Sequence, residues 1–495
     1  MIERFFRDSA WLFVMEILVR FKALIVLPIL TRQLGAADFG VWSQVSVLTA
    51  MLVPIAILGT DAAMMRYLPG QPLPEQARRF SAMLLFILAS ASLLAASLYL
   101  LRGPLANLFF GGDVRYAELI PLAALSLLTA AGIASLRAWW RIRNDAKRFG
   151  VIAVAQGMLG IAAVLVAIVG GGDVIAIISW TIAGDALLLV VLAVFLARGR
   201  VWSAPDWSVL RPYIRFGVVV LPAGFAMWGI NYVDRLFLLN YSSIATVGIY
   251  ALAYSLASLF VQVVTGPIFA MYATSAAQLH AQQEHASLQR LFDRSLEAIF
   301  LLASPVIAIL LFNGKDMLTL LATPEFVGGA IVLPIVAAGN VLLVVSAYFE
   351  TSLGLDNKPQ FGTYAAIAAL ASNLLLNLLL IPPFGMIGAA VATLACFVVQ
   401  ISISYGYCRR GNLLAVSLRY PPHALVCAAI AFGVAGMAGA EIANIWLRLI
   451  LSCGLGLIAY VLLLYVSGGL PPELRRWLAG RAALFIGQGK WAKRI

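Results

Sequence analysis

Charge is what this sequence has least of. Only 11% of its 495 residues are Asp, Glu, Lys or Arg, while 62% are hydrophobic; a soluble domain carries about 25% charged residues. So few polar side chains cannot coat a water-soluble protein of this length, and lipid is the remaining solvent. Cysteine is scarce as well. Cys396, Cys408, Cys427 and Cys453 have neither metal-ligand nor CxxC spacing and read as small apolar residues in helices. The three histidines, His280, His285 and His423, fall in segments predicted as loops and form no zinc pattern. No glycine-rich nucleotide loop is present, so no cofactor is expected. The beginning of the chain is not a convincing signal peptide: Glu3 and Asp8 interrupt its basic region, and Glu16, Arg20 and Lys22 interrupt its apolar run.

What is present is a series of long apolar runs. Each crossing of a bilayer needs about 20 predominantly apolar residues. In lipid every backbone polar group must be satisfied internally, so such runs are helices. The sequence predicts fourteen, at about 10–31, 40–66, 80–101, 116–136, 149–169, 174–197, 213–238, 246–271, 292–312, 329–352, 360–381, 386–406, 422–440 and 444–466. The expected fold class is all-α, a polytopic membrane protein.

Lys and Arg set its orientation. With the N-terminus on the cytoplasmic side, 26 of the 34 basic residues fall in cytoplasmic segments, 4 on the opposite side and 4 within helices. Both termini are therefore expected inside. The net charge of +12 records this topology and anionic membrane lipid rather than a nucleic-acid partner. The outer loops are short, the longest being about 102–115 and 313–328. Neither gathers an acid pair or a nucleophile with a base, which speaks for a transporter rather than an enzyme. The tail from Pro471 to Ile495 reads as a basic amphipathic helix on the inner leaflet.

Ionisable groups at membrane depth are expensive and face a cavity or a partner. Glu16, Arg20 and Lys22 lie on the first helix, Asp185 on the sixth, and Asp61 lower on the second. Glu16 and Arg20 are four apart and share a face, with Lys22 on roughly the opposite side. A structural Glu16–Arg20 pair with a snorkelling Lys22 accounts for this pattern; so does a cationic cavity wall for an anionic substrate. Asp234 and Arg235 end the seventh helix, where interfacial solvation and a gate are both open readings. Arg448 reads as snorkelling outward, and Glu350 as wet. Gln156, Gln262, Asn340, Asn373 and Asn377 recur at depth; hydrogen bonds between helices explain each alone, and as a set they suit a hydrated cavity.

A weak repeat links Gly40 in Asp38-Phe39-Gly40-Val41-Trp42 to Gly248 in Thr246-Val247-Gly248-Ile249-Tyr250, a shift of 248 − 40 = 208. It implies two six-helix lobes of the same orientation: residues 1–200 and 201–410, followed by a helix pair at 411–466 and the tail 467–495.

The run from Asn373 to Thr393, Asn-Leu-Leu-Leu-Asn-Leu-Leu-Leu-Ile-Pro-Pro-Phe-Gly-Met-Ile-Gly-Ala-Ala-Val-Ala-Thr, resembles a segment of the polysaccharide (Wzx-type) flippases. These belong to the multidrug/oligosaccharidyl-lipid/polysaccharide exporter superfamily. Tyr232-Val233-Asp234-Arg235 with Val247-Gly248-Ile249-Tyr250, and Leu34-Gly35 through Trp42, are similar to two further signatures of the family. The resemblance implies a flippase in a bacterial inner membrane that moves undecaprenyl-diphosphate-linked oligosaccharide between leaflets, served by membrane lipids and by polysaccharide polymerase machinery. On that reading Arg20, Lys22 and Arg66 meet the diphosphate, and Asn340, Asn373 and Asn377 line the path of the sugars. Glu16, Asp61 or Asp185 would couple transport to a cation, and Asp234 and Arg235 would form a gate. The rival readings are a multidrug exporter of organic cations with the same fold, and a membrane glycan polymerase or ligase. The family commonly has twelve helices, and fourteen is a departure.

Overall fold

The computed structural model describes residues 2–111, 116–143, 145–199, 201–411, 413–414 and 421–470, with side chains from Lys22 onward except at 421. Among these residues there are fourteen α-helices and no strand. They are α1 (Ile2–Ile57), α2 (Thr60–Tyr67), α3 (Leu73–Leu100), α4 (Arg102–Phe110), α5 (Leu119–Ile142), α6 (Ala146–Val169), α7 (Val174–Arg198), α8 (Leu210–Tyr241), α9 (Ile244–Ala281), α10 (His285–Leu321), α11 (Val332–Leu355), α12 (Gln360–Arg410), α13 (Pro421–Gly439) and α14 (Ile445–Ser467). Twelve are long and apolar enough to cross a membrane.

Two of the twelve cross it twice. At 1.5 Å per residue, the 56 residues of α1 and the 51 of α12 would run about 84 and 77 Å as straight rods, against a hydrocarbon core of about 30 Å. Each is broken by a glycine with positive φ, Gly35 (φ 67°) and Gly385 (φ 53°), a conformation that side chains with a Cβ disfavour. Gly388 completes the second turn, because a methyl group there would overlap the Leu380 carbonyl. Counting both halves of α1 and α12 gives the fourteen crossings expected from the sequence.

The entries to several helices are capped by the residues best suited to it. Asp145, Asp173, Ser243 and Asn444 accept hydrogen bonds from backbone N–H groups at the starts of α6, α7, α9 and α14.

The structure also departs from the sequence reading. The second crossing stops at Ile57, where Leu58 (φ 51°) and Gly59 (φ 62°) turn the chain into the separate helix α2. The outer segments read as loops hold α4 and a 3₁₀ helix at Pro324–Ile331. None of the three histidines lies in a loop: His280 and His285 lie on the ends of α9 and α10, which project about ten and seven residues past the expected spans, and His423 lies in the first turn of α13. Arg448 does not snorkel: it pairs with Asp316 of α10 at 2.6 Å. The basic tail lies outside the described residues.

The buried side chains form two large cores. One gathers α3, α5 and the second crossing around Phe80, Trp139 and Trp140. The other gathers α9, α10 and α11 around Tyr250, Tyr272, Phe292 and Tyr348, and takes in the first crossing at Val26, Leu27 and Leu30. The pair α13–α14 packs on α10 around Phe432 and Tyr460.

Candidate functional site

Three polar arrangements occupy the interior. The first lies in the N-terminal half. Lys22 projects from the first crossing onto the face of α6 that carries Gly157 and Gly160. A methyl group on Gly160 would lie 2.6 Å from the Lys22 Nζ, and one on Gly157 would lie 3.7 Å from its Cδ. The two glycines thus form the groove in which the lysine lies. Asp185 of α7 faces the same place and interacts with Lys22 electrostatically. Gln156 Nε2 donates to Asp185 Oδ1 at 3.2 Å. All three polar side chains are half-buried. Opposite charges in such a medium attract far more strongly than in water.

The second arrangement is a buried network in the C-terminal half. Asp234 has no exposed surface. Its Oδ1 accepts from the Arg235 backbone N–H at 2.8 Å, and the Tyr250 hydroxyl donates to its Oδ2. The Arg235 guanidinium donates from Nη1 to Ser43 Oγ at 2.9 Å, reaching across to the second crossing. It also lies over the rings of Tyr232 and Tyr254, at 5.1 and 5.8 Å from their centroids. Tyr254 donates to Asn231 Oδ1 at 2.9 Å. Asn373 Nδ2 lies 3.7 Å from the Cys396 sulfur. Asn377 Nδ2 donates to Asn373 Oδ1 at 2.9 Å. Asn340 is bonded to Ser258 Oγ and to the Val336 carbonyl, at 3.1 and 3.0 Å.

The third feature is a pair of closures between the halves, at opposite ends. At the end poor in basic residues, called the outer end on the expectation from the sequence, Gly40 meets Gly248. A methyl group on Gly40 would overlap the Ile244 carbonyl oxygen, and one on Gly248 would overlap that of Ala36. The offset of 208 that relates the two glycines also relates Ala36 to Ile244, so the contact is reciprocal. Around it, Glu325 Oε2 accepts from the Ala36 N–H at 3.0 Å, Arg32 Nη2 donates to the Leu320 carbonyl at 2.5 Å, and Phe326 meets Phe39 edge-on at 5.7 Å. At the inner end, Gly59 faces Gly217, and a methyl group on Gly59 would lie 2.6 Å from the Gly217 carbonyl oxygen. There Tyr67 stacks on Tyr213 at 5.4 Å, and the Arg66 guanidinium lies 5.2 Å from the Phe216 ring.

The structure therefore regroups the expected site residues. Lys22, expected to bind substrate, lies beside Asp185, expected to couple an ion. Asn373 and Asn377 are fully buried with Asp234 rather than beside Lys22. Arg66 is exposed against aromatic rings, and Asp61 is exposed on α2. The side chains of Glu16 and Arg20 lie outside the described ones. Sequence reasoning missed Gly157, Gly160, Ser43 and Glu325; only the glycine spacing on α6 carried a signal. Glu350, which reads as wet in the sequence, instead accepts hydrogen bonds from Ser346 and Gln400.

A helical bundle with opposed halves, charged groups at depth and a closure at either end defines a multi-pass membrane transporter. Residues 29–328 match the model of the polysaccharide biosynthesis protein family, and the chain belongs to that family. It is 23% identical over 472 residues, 93% of this chain and 96% of the relative, to a probable low-salt glycan biosynthesis flippase, Agl15, of Haloferax volcanii. A second relative, the probable flippase AglR of the same archaeon, is 28% identical over 168 residues, 33% of this chain and 35% of the relative. Among solved structures, the fold is similar to the lipid II flippase MurJ in an inward closed conformation, with a TM-score of 0.71 at 10% identity, covering 92% of this chain and 98% of that one. It is also similar to an inward-facing multidrug resistance MATE family transporter, with a TM-score of 0.63 at 14% identity, covering 79% and 94%.

Proposed function

We propose that the chain flips a polyprenyl-diphosphate-linked oligosaccharide, of the undecaprenyl type, from the cytoplasmic to the outer leaflet of a bacterial inner membrane by alternating access. The observation that carries the reading is Lys22 in its glycine groove beside Asp185. A diphosphate entering a confined space loses water, and charge-assisted hydrogen bonds replace it, each worth about 1.5–3 kcal/mol. Lys22 supplies such a donor, and Asp185 holds it charged while no anion is present. Arrival of the diphosphate frees Asp185 to take a cation, which ties substrate movement to an ion gradient. The two halves act as the rocking units. Asp234 and Arg235 belong to the outer gate, since Arg235 bonds across the halves to Ser43.

Surface-glycan display in a deletion strain, with protein amount checked by blot, tests this reading. Lys22→Ala is expected to abolish display at normal protein level, and Lys22→Arg to retain part of it. An exporter of organic cations predicts the reverse sign, with removal of the lysine harmless or helpful. Full display by Lys22→Ala sinks the anion site. In a cysteine-free background, Asn107→Cys is expected to label from outside and Lys147→Cys only after permeabilisation; the opposite pattern rejects the orientation.

A further inference from the structure

A second polar cluster lies in the C-terminal half, away from both Lys22 and Asp234. Its centre is Glu350, near the inner end of α11. The Ser346 hydroxyl, one turn earlier, donates to Glu350 Oε1 at 2.9 Å. Gln400, on the second crossing of α12, donates to the same oxygen from Nε2 at 2.9 Å. Ser404, one turn further along, lies 3.5 Å from Ser346 between hydroxyl oxygens. Gly362 at the start of α12 makes room for the acid: a methyl group there would stand 3.3 Å from Glu350 Cγ.

Three facts set this cluster apart from ordinary helix packing. Among the described residues no Lys, Arg or His pairs with Glu350. Ser346, Ser404 and Gln400 are buried, the last with 1% of its surface exposed, while Glu350 keeps partial exposure, so an approach remains on one side. Gln400 Oε1 is buried and has no hydrogen-bond partner. A buried amide oxygen without a partner is costly to leave so, and native structures rarely do. Here it lies on the amide whose nitrogen already holds the carboxylate. A lone carboxylate, a bare amide oxygen and two hydroxyls, all hard oxygen donors, offer one negative charge to a small cation.

We infer that Glu350, Gln400, Ser346 and Ser404 form a binding site for a single monovalent positive charge, a sodium ion or a proton. A sodium ion would be held by Glu350 and Gln400 Oε1 with the serine hydroxyls. A proton would reside on Glu350, with the Gln400 oxygen accepting from it after the amide turns over. Because the ligands come from α11 and from α12, occupancy ties those helices together at the inner end. Of the other ionisable groups on the neighbouring elements, Tyr348 on α11 keeps an unbonded buried hydroxyl and Arg409 and Arg410 end α12, while several others are engaged. Cys408 donates to the Phe349 carbonyl, and Asp356 is paired with Lys358 at 2.7 Å. On α10, Asp293 is held by Gln289 and Glu297 by Arg294. On α9, the Tyr272 hydroxyl is bonded to Ser352.

The test uses the full-length protein in nanodiscs, without glycan lipid, so its outcome is independent of what the protein transports. Thermal melting is followed against NaCl with choline chloride holding ionic strength constant, and separately against pH in choline chloride alone. For a sodium site, the wild type is expected to gain several degrees with sodium. Glu350→Gln is expected to lose most of that gain. Gln400→Met keeps the charge but removes the bare oxygen, and is expected to weaken the apparent sodium affinity about ten-fold. For a proton site, sodium has no effect, and a pH-dependent part of the melting curve disappears in Glu350→Gln while persisting in Gln400→Met. A sodium and pH response that is unchanged in Glu350→Gln, or absent from the wild type in both arms, overturns the assignment. If Glu350→Gln fails to fold, Gln400→Met with Ser404→Ala decides the sodium arm: unchanged affinity in that variant also overturns it.

Discussion

The outer and inner closures both depend on glycine, yet they are built differently. At the outer end two regular helical segments cross, Ala36–Gly40 over Ile244–Gly248, and each glycine admits the other segment's carbonyl. At the inner end the contact is made by a bent piece of chain, where Leu58 and Gly59 both have positive φ, against the start of α8. Polar bonds fasten the first, through Glu325, Arg32 and Arg235 with Ser43. Aromatic faces cover the second, through Tyr67, Tyr213 and Phe216. Each outer segment is the first turn of a helix, one just past the bend at Gly35 and the other at the start of α9, so the contacting residues themselves stay helical as they part. The inner contact includes its own bend, where left-handed residues can absorb dihedral change as the halves move. The outer closure thus resembles a latch, and the inner one a hinge.

That contrast can be broken by substitution, most severely at the latch. Gly248→Leu places a side chain against a backbone carbonyl that cannot give way, and overpacking of this kind costs about 1–3 kcal/mol or more. Display is expected to fall at least ten-fold with protein still in the membrane, whereas Gly103→Ala, where no atom lies within 4 Å, leaves it unchanged. Equal effects at the two positions would reject the latch.

Next in size is Arg235→Ala. It removes the guanidinium that bonds Ser43 across the halves and leaves that buried hydroxyl without its partner, a loss of about 1–3 kcal/mol. A drop in melting temperature is expected, with Tyr250→Phe costing less. Ranking the two the other way would show that the Tyr250 bond to Asp234, not the bond across the halves, contributes more.

Glu325→Gln should sharpen the comparison. The carboxylate caps the N-terminal end of the second crossing from the other half, and caps are worth about 0.5–2 kcal/mol. Loosening is expected at the outer end alone, seen as several-fold faster outside labelling of Ser43→Cys. Faster labelling from the inside instead would assign Glu325 to the wrong closure.

The smallest effect belongs to Arg66→Ala. An exposed cation over aromatic rings contributes about 0.5–1 kcal/mol, so display should change less than two-fold. Total loss of display would restore Arg66 to a direct role in recruiting substrate.

Crossing number is legible in the sequence because backbone in lipid leaves only one solution for an apolar run, and all fourteen runs are found. The bends are partly legible: Gly385 and Gly388 stand out beside Pro382 and Pro383, whereas Leu58 looks like one more apolar residue in an unbroken helix. Charged residues are easy to find and hard to group. Lys22 and Asp185 are 163 positions apart, and nothing in either neighbourhood shows that α6 opens a groove between them. Arg448 reads as solvated because its partner, Asp316, lies 132 positions away. Glu350 reads as wet for a similar reason, since Gln400 reaches it from a different crossing.

The reciprocity of the Gly40–Gly248 contact makes it a joint between like surfaces. A patch that binds its own counterpart through a two-fold axis is what an isologous homodimer presents. The Gly40–Gly248 contact has that form within one chain, each segment meeting the other as the other meets it. Each half is at once the knob and the hole of the same joint. Enlarging one glycine therefore obstructs a seam that its counterpart cannot relieve, because the counterpart has no side chain left to shorten. A substitution at either site is felt at both, 208 residues apart in the chain and adjacent in space.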